Sequence, residues 1–218
     1  MTTLIFVRHG QSESNLQRRF TGQRETPLTE LGRKQAVNTA KYLKDYPIDR
    51  IYASDLGRAM ETAQPTAAMH GLSIIPNRNF REIDAGLWEG MLYDDIKEKY
   101  PETFGTWLTN VGCAQPDGGE RVEDLAKRVY AETELVLKEN RGKCVAIFTH
   151  ATPVRMMGCL WHGMTPMGAS KLPFCGNASV SIAEYEDDGS FRLICYGYDK
   201  HQGDCATFLP KAVEGKTE

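Results

Sequence analysis

Residues 4–15 read Leu4-Ile5-Phe6-Val7-Arg8-His9-Gly10-Gln11-Ser12-Glu13-Ser14-Asn15. Four consecutive apolar residues followed by polar ones predict a short buried strand that runs into a loop. The run is far too short for a signal-peptide core or a membrane span. An arginine and a histidine then stand side by side where the strand ends. Burying an arginine there is costly unless something anionic lies close by. Whether the stretch is scaffold or active site depends on what the rest of the chain brings to it.

Working outward, Arg50–Ala53, Leu72–Ile75 and Lys143–Phe148 read as further buried strands. Helical patterns lie between them. Thr29 is placed to cap a helix to about Lys44, with Leu31, Ala36, Val37, Ala40 and Leu43 inward. Ser54 is placed to cap a second, with Leu56, Ala59, Met60, Ala63 and Ala67 on one face, and Pro65 is expected to kink or split it. Val122, Leu125, Ala126, Val129, Thr133, Val136 and Leu137 mark the inner stripe of a helix over 119–140. Its charges, Glu123–Lys127, Asp124–Arg128 and Glu134–Lys138, read as solvated i,i+4 pairs.

Alternating strands and helices predict an α/β fold: a three-layer α/β/α sandwich around a mostly parallel mixed sheet. Val180–Glu186 and Phe191–Tyr196, joined by Asp-Asp-Gly-Ser, read as a closing hairpin that adds an antiparallel strand. Residues 1–210 are expected to form a single domain, with 77–118 as an excursion over the active-site edge. From Lys211 to Glu218 the chain reads as a disordered tail.

With 29 acidic and 26 basic residues the formal net charge is -3, a balance that argues against nonspecific nucleic-acid binding. The six cysteines include no C-x-x-C pair, and none is followed by arginine six positions later. Reduced thiols and a cytoplasmic location, with no membrane partner, are the expectation. The oligomeric state stays open, a homodimer included.

In parallel α/β sheets ligands bind beyond the carboxyl ends of the strands. Arg8 and His9 leave the first strand there, Ser54 and Asp55 leave the second with Arg58 just beyond, and Thr149 and His150 leave the strand at 143–148. Each alone is commonly structural. Two arginines and two histidines on one rim suit a phosphoryl group, whose oxygens match guanidinium forks. Neither G-x-x-x-x-G-K-[ST] nor G-x-G-x-x-G occurs. A phosphomonoester therefore fits better than a nucleotide held by its phosphate chain.

Arg8-His9-Gly10 with Asn15, R-F-T-G (19–22), P-L-T-E-L-G (27–32), S-D-L-G-R-A-M-E-T-A (54–63), F-R-E-I-D-A-G-L-W-E-G (80–90), P-D-G-G-E (116–120) and F-T-H (148–150) occur in this order. Together they resemble the histidine phosphatase superfamily, the phosphoglycerate mutase-like fold, over nearly the whole chain. The resemblance implies that His9 is the nucleophile that becomes phosphohistidine. It implies that Arg8, Arg58 and His150 neutralise the phosphoryl oxygens, that Asn15, Thr21 and Gly22 line their pocket, and that Glu82 donates and accepts the proton.

Two positions depart from the family pattern: Ala151 stands where glycine is common, and Arg121 where serine is common. Ala151 keeps a backbone N–H for the substrate, and Arg121 is a candidate substrate contact. Gln11, Phe20, Gln23, Arg24, Trp88 and Tyr93 are further candidates for the mouth, which suits a polar, sugar-like or carboxylated metabolite. Cofactor-dependent mutases resemble E-R-H-Y-G after the glutamate, with an extended closing segment. This chain has Glu82-Ile83-Asp84-Ala85-Gly86, and only 85–90 reads as a lid. An open site admits water, so a phosphatase is expected ahead of a mutase. A zinc hydrolase using His9, His150 and Glu82, or a non-catalytic phosphate-binding module, ranks lower: adjacent arginines repel a dication, and no H-E-x-x-H occurs. Neither metal nor cofactor is expected.

Overall fold

A computed structural model describes residues 1–207; the expected tail, 211–218, lies outside them. Seven helices and six strands of regular structure are described, joined by turns of 3-10 helix. The strand that opens the chain, β1 (Thr2–Arg8), alternates strictly between two cores. Leu4 and Phe6 face one, Ile5 and Val7 the other. That alternation is the period of an extended chain, and both sets are fully buried because both faces of the sheet are covered.

The sheet contains β2 (Ile48–Ala53), β3 (Ile74–Pro76), β4 (Cys144–Thr149), β5 (Val180–Tyr185) and β6 (Phe191–Tyr198) besides β1, in the order β3-β2-β4-β1-β5-β6. The first four in that order run parallel. β5 pairs antiparallel with β1, and β6 with β5. The mixed sheet and closing hairpin are thus those the sequence predicts.

Between the strands run α1 (Glu13–Leu16), α2 (Glu30–Leu43), α3 (Gly57–His70), α4 (Tyr93–Lys99), α5 (Pro101–Thr109), α6 (Val122–Glu139) and α7 (Ala151–Trp161). Leu43 of α2 and Ala63 and Ala67 of α3 pack with Ile5, Val7 and Phe148 on one face. Val122, Leu125, Val129 and Val136 of α6 and Met156, Met157 and Trp161 of α7 pack with Leu4 and Phe6 on the other. Phe80, Ile83, Trp88, Ile96 and Phe104 join this second core, so the segment 77–118 is anchored in the protein's interior as well as reaching over the carboxyl edge of the sheet. Each large apolar side chain removed from water here contributes about 1.5–3 kcal/mol.

Thr29 caps α2 as expected, accepting from Gly32 N. Five local expectations change. The strand read over 72–75 is β3 (Ile74–Pro76), an edge strand that is half-buried to exposed and not buried, because only β2 covers one side of it. Val37 is exposed, and Gln35 and Thr39 take the inner face instead, because hydrogen bonds to the C-terminal segment satisfy them there. Pro65 does not interrupt α3. It removes one backbone bond, but Ala59, Thr62 and Ala63 before it and Thr66 and Ala67 after it are buried, anchoring both halves. The cap of α3 is Leu56, without a side-chain bond of its own; the Ser54 hydroxyl accepts from Leu56 N at 3.4 Å and meets His150 Nε2 at 2.8 Å. On α6, Lys127 pairs with Asp124 and Arg128 with Glu120, so Arg128 belongs to a loop contact and not to a solvated stripe.

Candidate active site

The parallel order of β2, β4 and β1 brings three carboxyl ends together. His9 N donates to Thr149 O at 2.8 Å, and Ser54 N to Phe148 O at 2.8 Å. Backbone ladders alone therefore place Arg8, His9, Ser54 and His150 side by side. The imidazoles of His9 and His150 meet edge to face, with centroids 5.1 Å apart. Gly10 is needed behind them: a Cβ there would lie 2.5 Å from Gly32 O.

His9 Nδ1 lies 2.7 Å from Gly10 O. A carbonyl only accepts, so Nδ1 carries the proton and Nε2 keeps its lone pair. Burial, then the charges of Arg58 and Arg8, holds the His9 imidazole well below its usual titration range. It is neutral at neutral pH. His150 is driven the same way, first by burial and then by Arg58 and His9. Its Nε2 lies 2.8 Å from Ser54 Oγ.

Arg8 and Arg58 are buried, 6% and 1% exposed. Neither forms an ion pair among the described residues. Arg8 Nη1 donates to Cys175 O at 2.6 Å, and its guanidinium stacks 4.7 Å from the Phe174 ring centre. Arg58 donates to Arg24 O at 3.0 Å and Gly22 O at 2.7 Å. Burial lowers both pKa values, that of Arg58 to about 10, and leaves both charged. Arg8 Nε, Arg58 Nε and His150 Nδ1 are buried without a partner among the described residues. Buried cations with unsatisfied donors and no ion pair are costly by themselves; an anion relieves that cost.

A pocket of about 430 Å³ opens here, lined by Arg8, His9, Gln11, Asn15, Thr21, Gly22, Arg58, Glu82, Ala151 and Thr152 among others. Of the sequence candidates, His150 stands behind His9, fully buried. Gly22 has φ +51°, and a Cβ there would strike the Glu89 carboxylate. Glu82 accepts from Ile83 N at 2.9 Å and Thr152 N at 3.3 Å, so its carboxylate is tied to the start of α7.

The structure does not bring Arg121 to this pocket: it is exposed and forms the N-terminal boundary of α6. Gln23 and Arg24 also lie outside the lining. Trp88 is fully buried in the core, and with Ala85 it makes 85–90 a packed turn, not a lid. The cover is instead aromatic: Tyr93, Phe104, Trp107, Leu108 and Val111 line the pocket together with Leu16 and Phe20. Of the mouth candidates, Gln11, Phe20 and Tyr93 line the pocket, and the apolar faces of α4 and α5 turn toward it.

Sequence reasoning missed three supports. Glu89 accepts from Gln23 N, Arg24 N and Ala85 N, joining the Thr21–Gly22 loop to the segment after Glu82. Asn177 Nδ2 donates to His9 O and Asn15 Oδ1. Arg128 holds the carbonyls around Glu82. Glu89 and Arg128 stood in view beside quoted motifs; Asn177, distant along the chain, left no local signal.

Residues 4–197 match the family model described as histidine phosphatase superfamily (branch 1). The chain belongs to the histidine phosphatase superfamily. Phosphoserine phosphatase 1 of Hydrogenobacter thermophilus is 35% identical over 187 residues, 86% of this chain and 88% of that protein. The solved structure of Bacillus stearothermophilus YhfR superposes with TM-score 0.88 at 30% identity, covering 93% of this chain and all of that one. A mycobacterial glucosyl-3-phosphoglycerate phosphatase, solved as a complex with VO3, gives 0.82 at 29% identity, covering 90% and 99%. Histidine phosphatases named as probable phosphoglycerate mutases match too. The expected family, fold and enzyme class therefore hold.

Proposed function

We propose that this histidine phosphatase hydrolyses phosphomonoesters of small metabolites through a phosphohistidine on His9. One observation carries the reading: a neutral imidazole with a free Nε2 stands beside two buried guanidiniums that form no ion pair among the described residues. The Nε2 lone pair attacks phosphorus, and the ester O–P bond breaks. Glu82 acts as the acid and gives a proton to the departing oxygen. Water then attacks phosphorus, Glu82 takes its proton, and the N–P bond breaks to release phosphate and restore the lone pair. Arg8, Arg58 and His150 Nδ1 stabilise the equatorial oxygens, with Asn15, Thr21, Gly22 and the Ala151 backbone around them.

Guanidiniums supply the compensating charge, so the reaction needs no metal. Among the described residues no three His, Cys, Asp or Glu side chains gather as a ligand set, and no helix is long and apolar enough to cross a membrane. With free cysteines, the protein suits the cytoplasm. The aromatic wall favours a leaving group with apolar surface. Four arginines, Arg8, Arg18, Arg58 and Arg155, and one carboxylate, Glu82, line the pocket. A substrate with a second anionic group beyond its phosphate matches that excess. The two neighbours named for phosphoserine and glucosyl-3-phosphoglycerate point the same way.

Phosphoryl transfer to a retained acceptor is the second reading, favoured by the cover that α4 and α5 provide. The absence of H-Y-G after Glu82 weighs against it. The deciding experiment supplies 3-phosphoglycerate with a bisphosphorylated primer, under excess chelator, to wild type and His9→Ala. Free phosphate forms faster than 2-phosphoglycerate, and an acid-labile phosphoenzyme is trapped from wild type alone. Labelling of the alanine variant would falsify the assignment of His9, and isomerisation outrunning phosphate release would make the enzyme a mutase.

A further inference from the structure

Arg128 lies on α6 beyond the pocket lining, yet three of its hydrogen bonds go to backbone carbonyls on either side of Glu82 and the other two to Glu120. Nε and Nη2 donate to the two oxygens of Glu120 at 2.8 and 2.9 Å. Nη1 donates to Asn79 O and Arg81 O, both at 2.8 Å, and Nη2 also to Glu82 O at 2.9 Å. A guanidinium has five donors, and all are used in its fixed plane. Glu120 completes the frame. Its N donates to Asp84 O at 2.9 Å, and its Oε2 accepts from Asp84 N at 3.3 Å.

Residues 81–85 have no regular secondary structure, so their carbonyls need partners from elsewhere. Arg128 supplies them at 81 and 82, on both sides of the Glu82 Cα, and holds the Asn79 carbonyl of the preceding turn as well. The pair with Glu120 is largely shielded, with side chains 21% and 19% exposed, unlike the solvated pairs whose contribution is slight. A second clamp, Arg81 with Asp55 at 2.6 and 2.7 Å, holds the same loop to the end of β2. The loop therefore has an anchor of its own without Arg128. What Arg128 adds is the height and rotation of the Glu82 backbone relative to the start of α7, where the carboxylate meets Thr152 N.

We propose that Arg128, oriented by Glu120, is a positioning residue for the Glu82 carboxyl group. The proposal rests on Glu82 being the acid for the leaving oxygen. Lysine at 128 keeps the charge but not the planar fork, so the loop stays attached while the alignment slackens. A displacement near 1 Å of an acid that must protonate a leaving oxygen costs roughly ten- to a hundredfold in rate.

The test compares Arg128→Lys, Glu82→Gln and the double variant on an alkyl and an aryl phosphate, with thermal melts of each. Arg128→Lys is expected to lower kcat on the alkyl ester at least about tenfold, to change KM less than about threefold, and to spare the aryl ester. Added to Glu82→Gln, it should cost almost nothing more, because the group it positions is gone. If Arg128→Lys fails to fold, Glu120→Gln takes its place with the same expected pattern. Equal losses on both esters, or losses that multiply fully in the double variant, overturn the positioning role while leaving Glu82 as the acid. Glu82→Gln acting equally on both esters removes the acid assignment itself, and the proposal with it.

Discussion

At its charged part the pocket consists of side chains carried by strand ends and the first turn of α3: Arg8, His9 and Arg58, with His150 behind. These are buried, and backbone ladders between β1, β4 and β2 fix their places. At its aromatic part the pocket consists of Leu16, Phe20, Tyr93, Phe104, Trp107 and Leu108, from a loop and three short helices. There, rings meet edge to face, as Phe20 does with Trp107 at 4.9 Å and with Trp88 at 5.4 Å. One part is held by the sheet, the other by side-chain packing. Under the proposed function, chemistry on the phosphoryl group is tied to the rigid scaffold, and choice of leaving group to the part that sequence change alters most cheaply.

Substitutions in the two parts should therefore differ in kind. Arg58→Ala removes a preorganised charge and is expected to lower kcat by on the order of a hundred- to a thousandfold for every ester tested. Steady-state kinetics on three unrelated phosphomonoesters checks this; a loss confined to one ester would dissolve the distinction. Glu82→Gln comes next. It should reduce turnover of an alkyl phosphate roughly a hundredfold and of an aryl phosphate much less, since an aryl oxide leaves with little help. A plot of rate against leaving-group pKa should steepen.

Trp107→Ala acts on the aromatic part. It should lower kcat/KM for bulky apolar esters by about tenfold, the scale of a lost apolar contact, and for a methyl-sized ester by far less. Uniform losses across leaving-group size would show that α5 supports the charged part as well.

The smallest effect concerns acid stability and belongs to the charged part alone. His9 and His150 stay neutral in the folded protein below their usual value of 6.5, whereas the unfolded chain binds protons there. The unfolded state then holds more protons, so stability is complete above about pH 6.5 and falls as pH drops through the window below it. The slope reaches about 1.4 kcal/mol per pH unit for each histidine. Urea midpoints between pH 7.5 and 5.5 should show it, and His9→Gln should make it shallower. An unchanged slope in that variant would mean that His9 contributes nothing to the acid sensitivity.

The charged part was legible in the chain because each of its residues sits in a short contiguous stretch at a strand exit. Arg8 and His9 follow an apolar run, Arg58 opens a helix after one, and His150 closes another. A parallel sheet then assembles those exits without further instruction. Local readings failed where a side chain had two plausible partners. Ser54 had the look of a helix cap, but His150, 96 residues away, takes its hydroxyl. Arg121 was set beside G-G-E and came out exposed, whereas Arg128, seven positions on, turned from its helix neighbours to the loop around Glu82.

The sequence by itself determined the α/β order, the buried central strands, the family and the residues that gather at the strand exits, since periodicity and strand-end motifs are local properties. Only the tertiary structure decided that Trp88 belongs to the core, that α4 and α5 form the wall of the pocket, and that Glu89, Arg128 and Asn177 hold the site in shape. Those outcomes depend on which of several satisfiable hydrogen bonds and apolar contacts win when distant segments meet. That competition is settled by packing, where a buried donor must find a partner and a ring must find a surface.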